Sequence, residues 1–235
     1  MKILAIDSTA ATASVAICDG EKLLSLWTHN NGLTHSESLL PMVESLLKYC
    51  GLTVDDIELF AVSAGPGSFT GVRIGAATVK GLAYGRNIPC IGVSTLDALA
   101  YNLVCCDGIL CPAMNARRDQ VYTALFESDG SNLTRLTPDS AISLSELSSW
   151  LEKYPDKKIF VCGDGYEIVR KNIKNENIQK TPEHLVWQNA YSVAQCAKAL
   201  YESGVRTTDR ELMPTYLRMP QAERERLEKL KNDNK

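Results

Sequence analysis

A chain of 235 residues, 45% hydrophobic and 23% charged, holds enough apolar material for one or two modest cores. Its formal net charge of −3 excludes a protein that coats nucleic acid through its overall field, and leaves only local basic clusters for polyanions. Asp7 breaks the first apolar run too early for a signal peptide, and no later stretch reaches the roughly 18 apolar residues of a membrane span, so a cytoplasmic protein with no membrane partner is expected.

In chain order, ILAID (3–7) reads as a buried strand ending on an acid. ASVAICDG and KLLSLWTH follow as two strands joined at Asp19-Gly20, a favoured hairpin pair. Thr34-His35-Ser36-Glu37 has the form of a capping box and opens a helix over about 36–50, which Gly51 ends; Pro41 is expected to bend or break it. A strand (LFAVSAG), a helix after Gly65-Pro66-Gly67-Ser68, a strand (IPCIGVS) and a helix (TLDALAYNLV) complete a first half. After Cys105-Cys106-Asp107 the order restarts. GILCPAMNA and QVYTALFES are strands, SELSSWLEKY a helix, IFVCGDG a strand and SVAQCAKALYESG a helix. This predicts two similar α/β lobes, 1–104 and 105–220, and a charged tail, 221–235, expected to fray or be disordered.

The eight cysteines form no CxxC, and His29, His35 and His184 do not stand at ligand spacing, so no metal site is expected. Cys18, Cys50, Cys90, Cys162 and Cys196 sit in apolar surroundings as packed thiols do. Cys105-Cys106 reads first as packing and second as a redox pair.

The Gly65–Gly71 loop suggests a phosphate cradle but lacks the lysine of a Walker A loop. Thr70 also stands where a dinucleotide fingerprint wants its third glycine. A structural turn is favoured, with Ser68 as helix N-cap contributing about 1 kcal/mol. The helix beyond it holds Gly71, Gly75 and Gly81, each costing about 1 kcal/mol relative to alanine. Gly71, Gly75, Thr78 and Leu82 share one stripe, smooth enough for another backbone to approach. On the preceding helix Leu39, Met42, Val43, Leu46 and Cys50 form a stripe that Leu40 and Leu47 widen to roughly half the circumference. Packing on the protein's own sheet and packing on a partner helix both fit these stripes; together they are taken as a protein interface. Arginine at Gly75 or Val72 is accordingly expected to break association and leave the monomer folded.

For catalysis Asp7 is the best candidate, because actin-like and sugar-kinase-like ATPases place a magnesium–phosphate site on such an acid; it equally suits a turn cap. Arg117-Arg118 offers a phosphate or carboxylate site or a solvated turn. No Ser/His/Asp set is recognisable.

ILAIDST, HSESLLPMVESLL, AGPGSFTGVRIGAATVKGLA, IGVSTLDALA, NARRDQVY and PTYLR, spread from Met1 to about Arg218, resemble the TsaB family, bacterial proteins required for threonylcarbamoyladenosine in tRNA. The resemblance implies an α/β, actin-like ATPase (ASKHA) fold of two ribonuclease-H-like lobes with mixed sheets. It also implies a paralogous partner, TsaD, which transfers the threonylcarbamoyl group. TsaD's His-x3-His metal pair matches Thr95 and Leu99, and its Ser-Gly-Gly-His phosphate loop matches Asn115-Ala116-Arg117-Arg118, whose long side chains would fill the phosphate space. No catalytic residue, metal or cofactor is therefore implied, and Asp7 is a vestige. Leu39, Met42, Val43, Leu46, Cys50, Gly71, Val72, Gly75, Thr78 and Leu82 are expected to face TsaD, or a second copy of the chain when TsaD is absent. A third subunit, TsaE, would join the assembled pair, and tRNA would be met only indirectly. The rival readings are an ATP-dependent kinase or carbamoyltransferase using Asp7, a peptidase, and a homodimer with no obligate partner.

Overall fold

Two sheets on one plan make up the protein, seen here in a computed structural model that describes residues 1–218. The first sheet begins as an antiparallel meander of β1 (Lys2–Asp7), β2 (Ala13–Asp19) and β3 (Lys22–His29). Gly20, at φ 59°, turns β2 into β3 as the Asp-Gly pair predicts. Helix α1 (His35–Cys50), β4 (Leu59–Gly65), α2 (Phe69–Ala83) and β5 (Cys90–Ser94) follow, giving the order β3-β2-β1-β4-β5 with β4 parallel to both β1 and β5. Every residue of β4 is buried, so the strand reads as a continuous apolar run rather than an alternating one.

Helix α3 (Thr95–Asn102) leads to the second sheet: β6 (Asp107–Arg117), β7 (Gln120–Thr123), β8 (Phe126–Asp129), β9 (Leu133–Arg135), β10 (Ser140–Ser143) and β11 (Ile159–Cys162), with α4 (Leu144–Leu151) before β11. Then come α5 (Tyr166–Asn172), β12 (Ile178–Gln179), α6 (Glu183–Val186) and α7 (Ala190–Glu202). The central order, β10-β7-β6-β11-β12, repeats the first sheet's plan. These are the two ribonuclease-H-like lobes of the actin-like fold. QVYTALFES, expected as one strand, is two: β8 pairs with Asp107–Leu110 of β6, and β7 with Ala113–Arg117. Between them lies Pro112, which has no N–H for the ladder, and its carbonyl accepts from Thr123 Oγ1 at 2.7 Å instead.

Helix α1 starts and stops where expected, with one difference at its start and one inside. Thr34 Oγ1 donates to the Glu37 carboxylate at 2.6 Å rather than capping the helix backbone. The helix also runs through Pro41 unbroken, because Leu39, Met42 and Val43 on either side hold it to the sheet. Gly51, at φ 65°, closes it, with the Leu52 amide donating to the Leu47 carbonyl.

The lobe boundaries need a larger correction. Ala190, Val193, Ala194 and Ala197 of α7 pack with Ile3, Ala5, Ile91 and Val93 on the back of the first sheet. Leu212 joins the cluster under α1, and the Thr215 amide donates to the Ala64 carbonyl at 2.7 Å. Residues 190–218 therefore belong to the first lobe, since the apolar back face of its sheet has no other cover of that extent. The second lobe spans 105–189, and the tail assigned to 221–235 lies outside the described residues.

Of the cysteines, Cys18, Cys90, Cys111 and Cys162 are buried, while Cys105 is exposed. Burial pushes the Cys18 and Cys90 thiols up to about 12, in keeping with packed, unreactive sulfur. Among the described residues no helix is long and apolar enough to cross a membrane.

Candidate functional site

A cleft of about 540 Å³ opens between the lobes, lined by Thr9 and Ser68 of the first lobe, by Asn115, Arg117 and Asp164 of the second, and by Arg218, which reaches across to Ala116. Asp7 ends β1 beneath it and is only 1% exposed. Its Oδ1 accepts from the Thr9 amide at 2.9 Å and from Thr9 Oγ1 at 2.7 Å, and its Oδ2 accepts from Ser63 Oγ. Both oxygens are committed to holding the turn, which is the capping role. Asp7 is not among the residues that line the cleft, so its carboxylate does not face the space that a magnesium–nucleotide group would occupy.

Burial raises the Asp7 carboxyl above its ordinary range, and the bonds from Ser63 and Thr9 oppose that rise without cancelling it. A folded-state pKa above the unfolded one means that folding favours the protonated acid. The contribution is complete below the unfolded value, near 3.8, and is lost as pH rises through the raised folded value. Asp7→Asn is therefore expected to gain urea resistance relative to wild type as pH goes from about 4 to about 7. Asp7→Ala, which strands three buried donors, loses about 3 kcal/mol. Urea midpoints of the Asn variant that track wild type at every pH would count against this assignment.

The glycine-rich loop is joined to the β1–β2 turn and to the start of α2 through Ser68. The Ser68 amide donates to the Thr9 carbonyl at 2.7 Å, and Ser68 Oγ accepts from the Gly71 amide at 3.2 Å as the predicted N-cap. A Cβ on Gly71 would lie 2.0 Å from the Ser8 carbonyl oxygen, and one on Gly75 would lie 2.5 Å from Ser8 Oγ. Through Ser68 the loop braces the β1–β2 turn, and these two glycines allow α2 to lie against β1.

That contact corrects the expected interface. Leu39, Met42, Val43 and Leu46 are buried in the cluster under α1, and Gly71, Val72 and Gly75 are buried on the inner side of α2. Cys50 and Leu82 are half-buried against the same cluster, and the half-buried Thr78 returns its hydroxyl to the Ile74 carbonyl. The stripes are real, but they face inward. The outward side of the layer is made by Leu40, Pro41, Glu44, Lys48 and Tyr49 of α1 and by Arg73, Ala77 and Gly81 of α2, with Tyr84 just beyond. Leu40 is 54% exposed, Tyr49 86% and Tyr84 76%. Gly81 has nothing within 4 Å of the position its Cβ would take, so the monomer gives no packing reason for it. Spacing could have pointed here, since Arg73, Ala77, Gly81 and Gly85 recur every four residues. Periodicity alone does not say which apolar arc meets the sheet.

On the opposite wall, Arg118 and Asp119 form the two-residue turn between β6 and β7, both at φ 54°, and Arg117 before them is at φ 62°. Asn115 Oδ1 accepts from the Arg117 amide at 2.8 Å, and Asp164 Oδ1 accepts from the Asn115 amide at 2.8 Å. Arg117 lines the cleft. Arg118 is exposed. Thr95 and Leu99, at the positions of the expected lost metal pair, are buried. Among the described residues no group of three or more His, Cys, Asp or Glu is arranged to hold a metal ion.

Residues 31–226 match the family profile described as TsaD: tRNA N6-adenosine threonylcarbamoyltransferase. The chain is 32% identical to the tRNA threonylcarbamoyladenosine biosynthesis protein TsaB of Bacillus subtilis, over 98% of this chain and 100% of that one. It is 38% identical to the protein of the same name from Escherichia coli, over 55% of this chain and 56% of that one. In fold it is similar to a Pseudomonas aeruginosa crystal structure described as an uncharacterized protein with similarity to peptidase YEAZ. The TM-score is 0.78 at 24% identity, covering 92% of this chain and 99% of that one.

Proposed function

Because the chain belongs to the TsaB family of tRNA threonylcarbamoyladenosine biosynthesis proteins, we propose that it serves that modification as a non-catalytic subunit. In this reading it grips TsaD, the threonylcarbamoyl-transferring paralogue, through the outer face of α1 and α2. The observation that carries the reading is Gly81. A solvent-facing glycine in the last turn of a helix costs about 0.5–1 kcal/mol relative to alanine, and nothing inside the monomer uses it. Close approach of a second helix does use it, and Leu40 and Tyr84 supply apolar area beside it.

A paralogue built on the same lobe would present an equivalent helical layer, so the contact is pseudo-twofold, and a second copy of this chain takes the same place when TsaD is absent. TsaE joins the assembled pair, and tRNA is met through TsaD. No cofactor is assigned. Against the alternative, an ATP-dependent kinase or carbamoyltransferase using Asp7, stands a buried carboxylate that does not line the cleft.

Charge on the outer face tests this. Leu40→Glu is expected to melt with wild type, since Leu40 is exposed, and to lose co-purification with TsaD. Undiminished recovery of the pair would refute the assignment of this face.

A further inference from the structure

A smaller hollow lies wholly within the second lobe and shares no lining residue with the inter-lobe cleft. Its floor is Leu125, between β7 and β8, which is 1% exposed. Part of its lining comes from the loop between β9 and β10, which is stitched to that floor. The Leu136 amide donates to the Leu125 carbonyl at 2.8 Å, and the Leu125 amide donates to Thr137 Oγ1 at 2.8 Å. Pro138 follows, its φ fixed by its own ring. The rest comes from Trp150, in the last turn of α4, and from Lys153 and Tyr154 just beyond it, where the Tyr154 amide donates to the Leu151 carbonyl at 3.1 Å. Trp150 and Tyr154 also pack against the core of the second lobe, so their rings are held in place.

The polar groups at this hollow are unspent. Half-buried Trp N–H and Tyr O–H groups ordinarily find partners. Trp187 gives its indole N–H to Glu183 at 2.8 Å, and Tyr191 gives its hydroxyl to the Glu21 carbonyl at 3.0 Å. Among the described residues Trp150 Nε1 and the Tyr154 hydroxyl have no such partner, and Lys153 Nζ has no carboxylate within ion-pair distance. Charge is one-sided as well, since Lys153 is the one charged residue among those described that line the hollow. The nearby acids are engaged elsewhere: Glu152 accepts from Ser148 Oγ at 3.2 Å, and Asp139 accepts from Arg135 and from Ser94, each at 2.6 Å.

We propose that this hollow binds a small aromatic carboxylate, with its ring against Trp150, Tyr154, Pro138 and Leu125 and its carboxylate on Lys153. Three donors and no acid select an anionic acceptor, and charge-assisted hydrogen bonds are roughly twice as strong as neutral ones. The two aromatic side chains select a flat apolar body, because ring pairs contribute beyond the area they bury. Size follows from the volume. About 270 Å³ lies just under the roughly 300–1,000 Å³ of sites for drug-sized molecules, which limits the occupant to one ring on a short arm. The site stands independently of the helical-layer reading, and either can fail without the other.

The test titrates the full-length protein with 3-phenylpropionate, followed by calorimetry and by tryptophan fluorescence. Saturable one-to-one binding with Kd below about 1 mM is expected. Lys153→Gln should weaken it about tenfold or more, and Lys157→Gln, whose partner is Glu127, should leave it unchanged. Acetate, which lacks the ring, and 3-phenylpropionamide, which lacks the charge, should each bind about tenfold more weakly or worse. Trp150→Phe keeps a ring in place, so it should retain calorimetric binding while losing the fluorescence response. Thermal melts exclude loss by unfolding; Lys153 is exposed, and Trp150→Tyr replaces Trp150→Phe should the latter not fold. No saturable binding up to about 1 mM, acetate or the amide binding as tightly as the acid, binding indifferent to Lys153→Gln, or a fluorescence response that survives without Trp150 would each overturn the proposal.

Discussion

Val72→Arg and Gly75→Arg are expected to unfold the first lobe rather than release a folded monomer from its partner. Val72 is 1% exposed. A side chain on Gly75 starts 2.5 Å from Ser8 Oγ and 3.2 Å from Val62 Cγ2, and the neighbouring Gly71 allows still less, 2.0 Å to a backbone oxygen. An arginine at either position must bury a charge or lever α2 off β1. Buried unpaired charge and overpacking in a core are the mechanisms behind losses above about 4 kcal/mol, a large part of the roughly 5–15 kcal/mol that stabilises a whole domain. Soluble yield and urea denaturation check this: the variants should show no cooperative transition near the wild-type midpoint. A folded Gly75→Arg that merely failed to bind would restore the inward stripe as an interface.

Residues 1–104 alone are expected not to fold, and residues 1–104 joined by a short linker to 190–218 are expected to fold. The back of the first sheet presents Ile3, Ala5, Leu59, Ala61, Ile91 and Val93, and α7 covers them with Ala190, Val193, Ala194 and Ala197. Burying each of the larger side chains in this set contributes about 1.5–3 kcal/mol, so removing α7 forfeits more than about 6 kcal/mol. Circular dichroism melts of the two chains decide the matter. A cooperative melt from 1–104 alone would return α7 to the second lobe.

Local signals carried most of the fold. Gly51 ended α1, Asp19-Gly20 turned the hairpin and Ser68 capped α2, because each acts on neighbours a few residues away. The long-range placements were not legible in that way. Nothing in SVAQCAKALYESG says which of two similar sheets it will cover. The break in QVYTALFES was set by Pro112, a residue on the partner strand. Pro41 misled because the penalty of a missing donor is local, while the packing that outweighs it comes from β2 and β3.

The site divides along the same line. Asp7 was recognisable as an acid at a strand end, but its bond from Ser63, a residue 56 positions away, was not. The wide apolar arcs of α1 and α2 were visible, yet their direction was inverted, since a hydrophobic stripe reports burial without naming what buries it. Gly81 stood in the four-residue recurrence of Arg73, Ala77, Gly81 and Gly85, but it is its lack of neighbours that marks this side as the outer one. The bond from Arg218 to the Ala116 carbonyl joins residues 102 apart in the chain, beyond the reach of any local signal.

The central claim is that the protein acts through the outer surface of its first helical layer, without chemistry of its own. Its most direct test is the dissociation constant of TsaD for the Gly81→Trp variant, measured beside the thermal melt of the same sample. The account predicts a melt within a few degrees of wild type, because that side chain enters open space, and binding weakened by about a hundredfold or more, in line with an obstructed interface centre. Wild-type affinity with the tryptophan in place would contradict it.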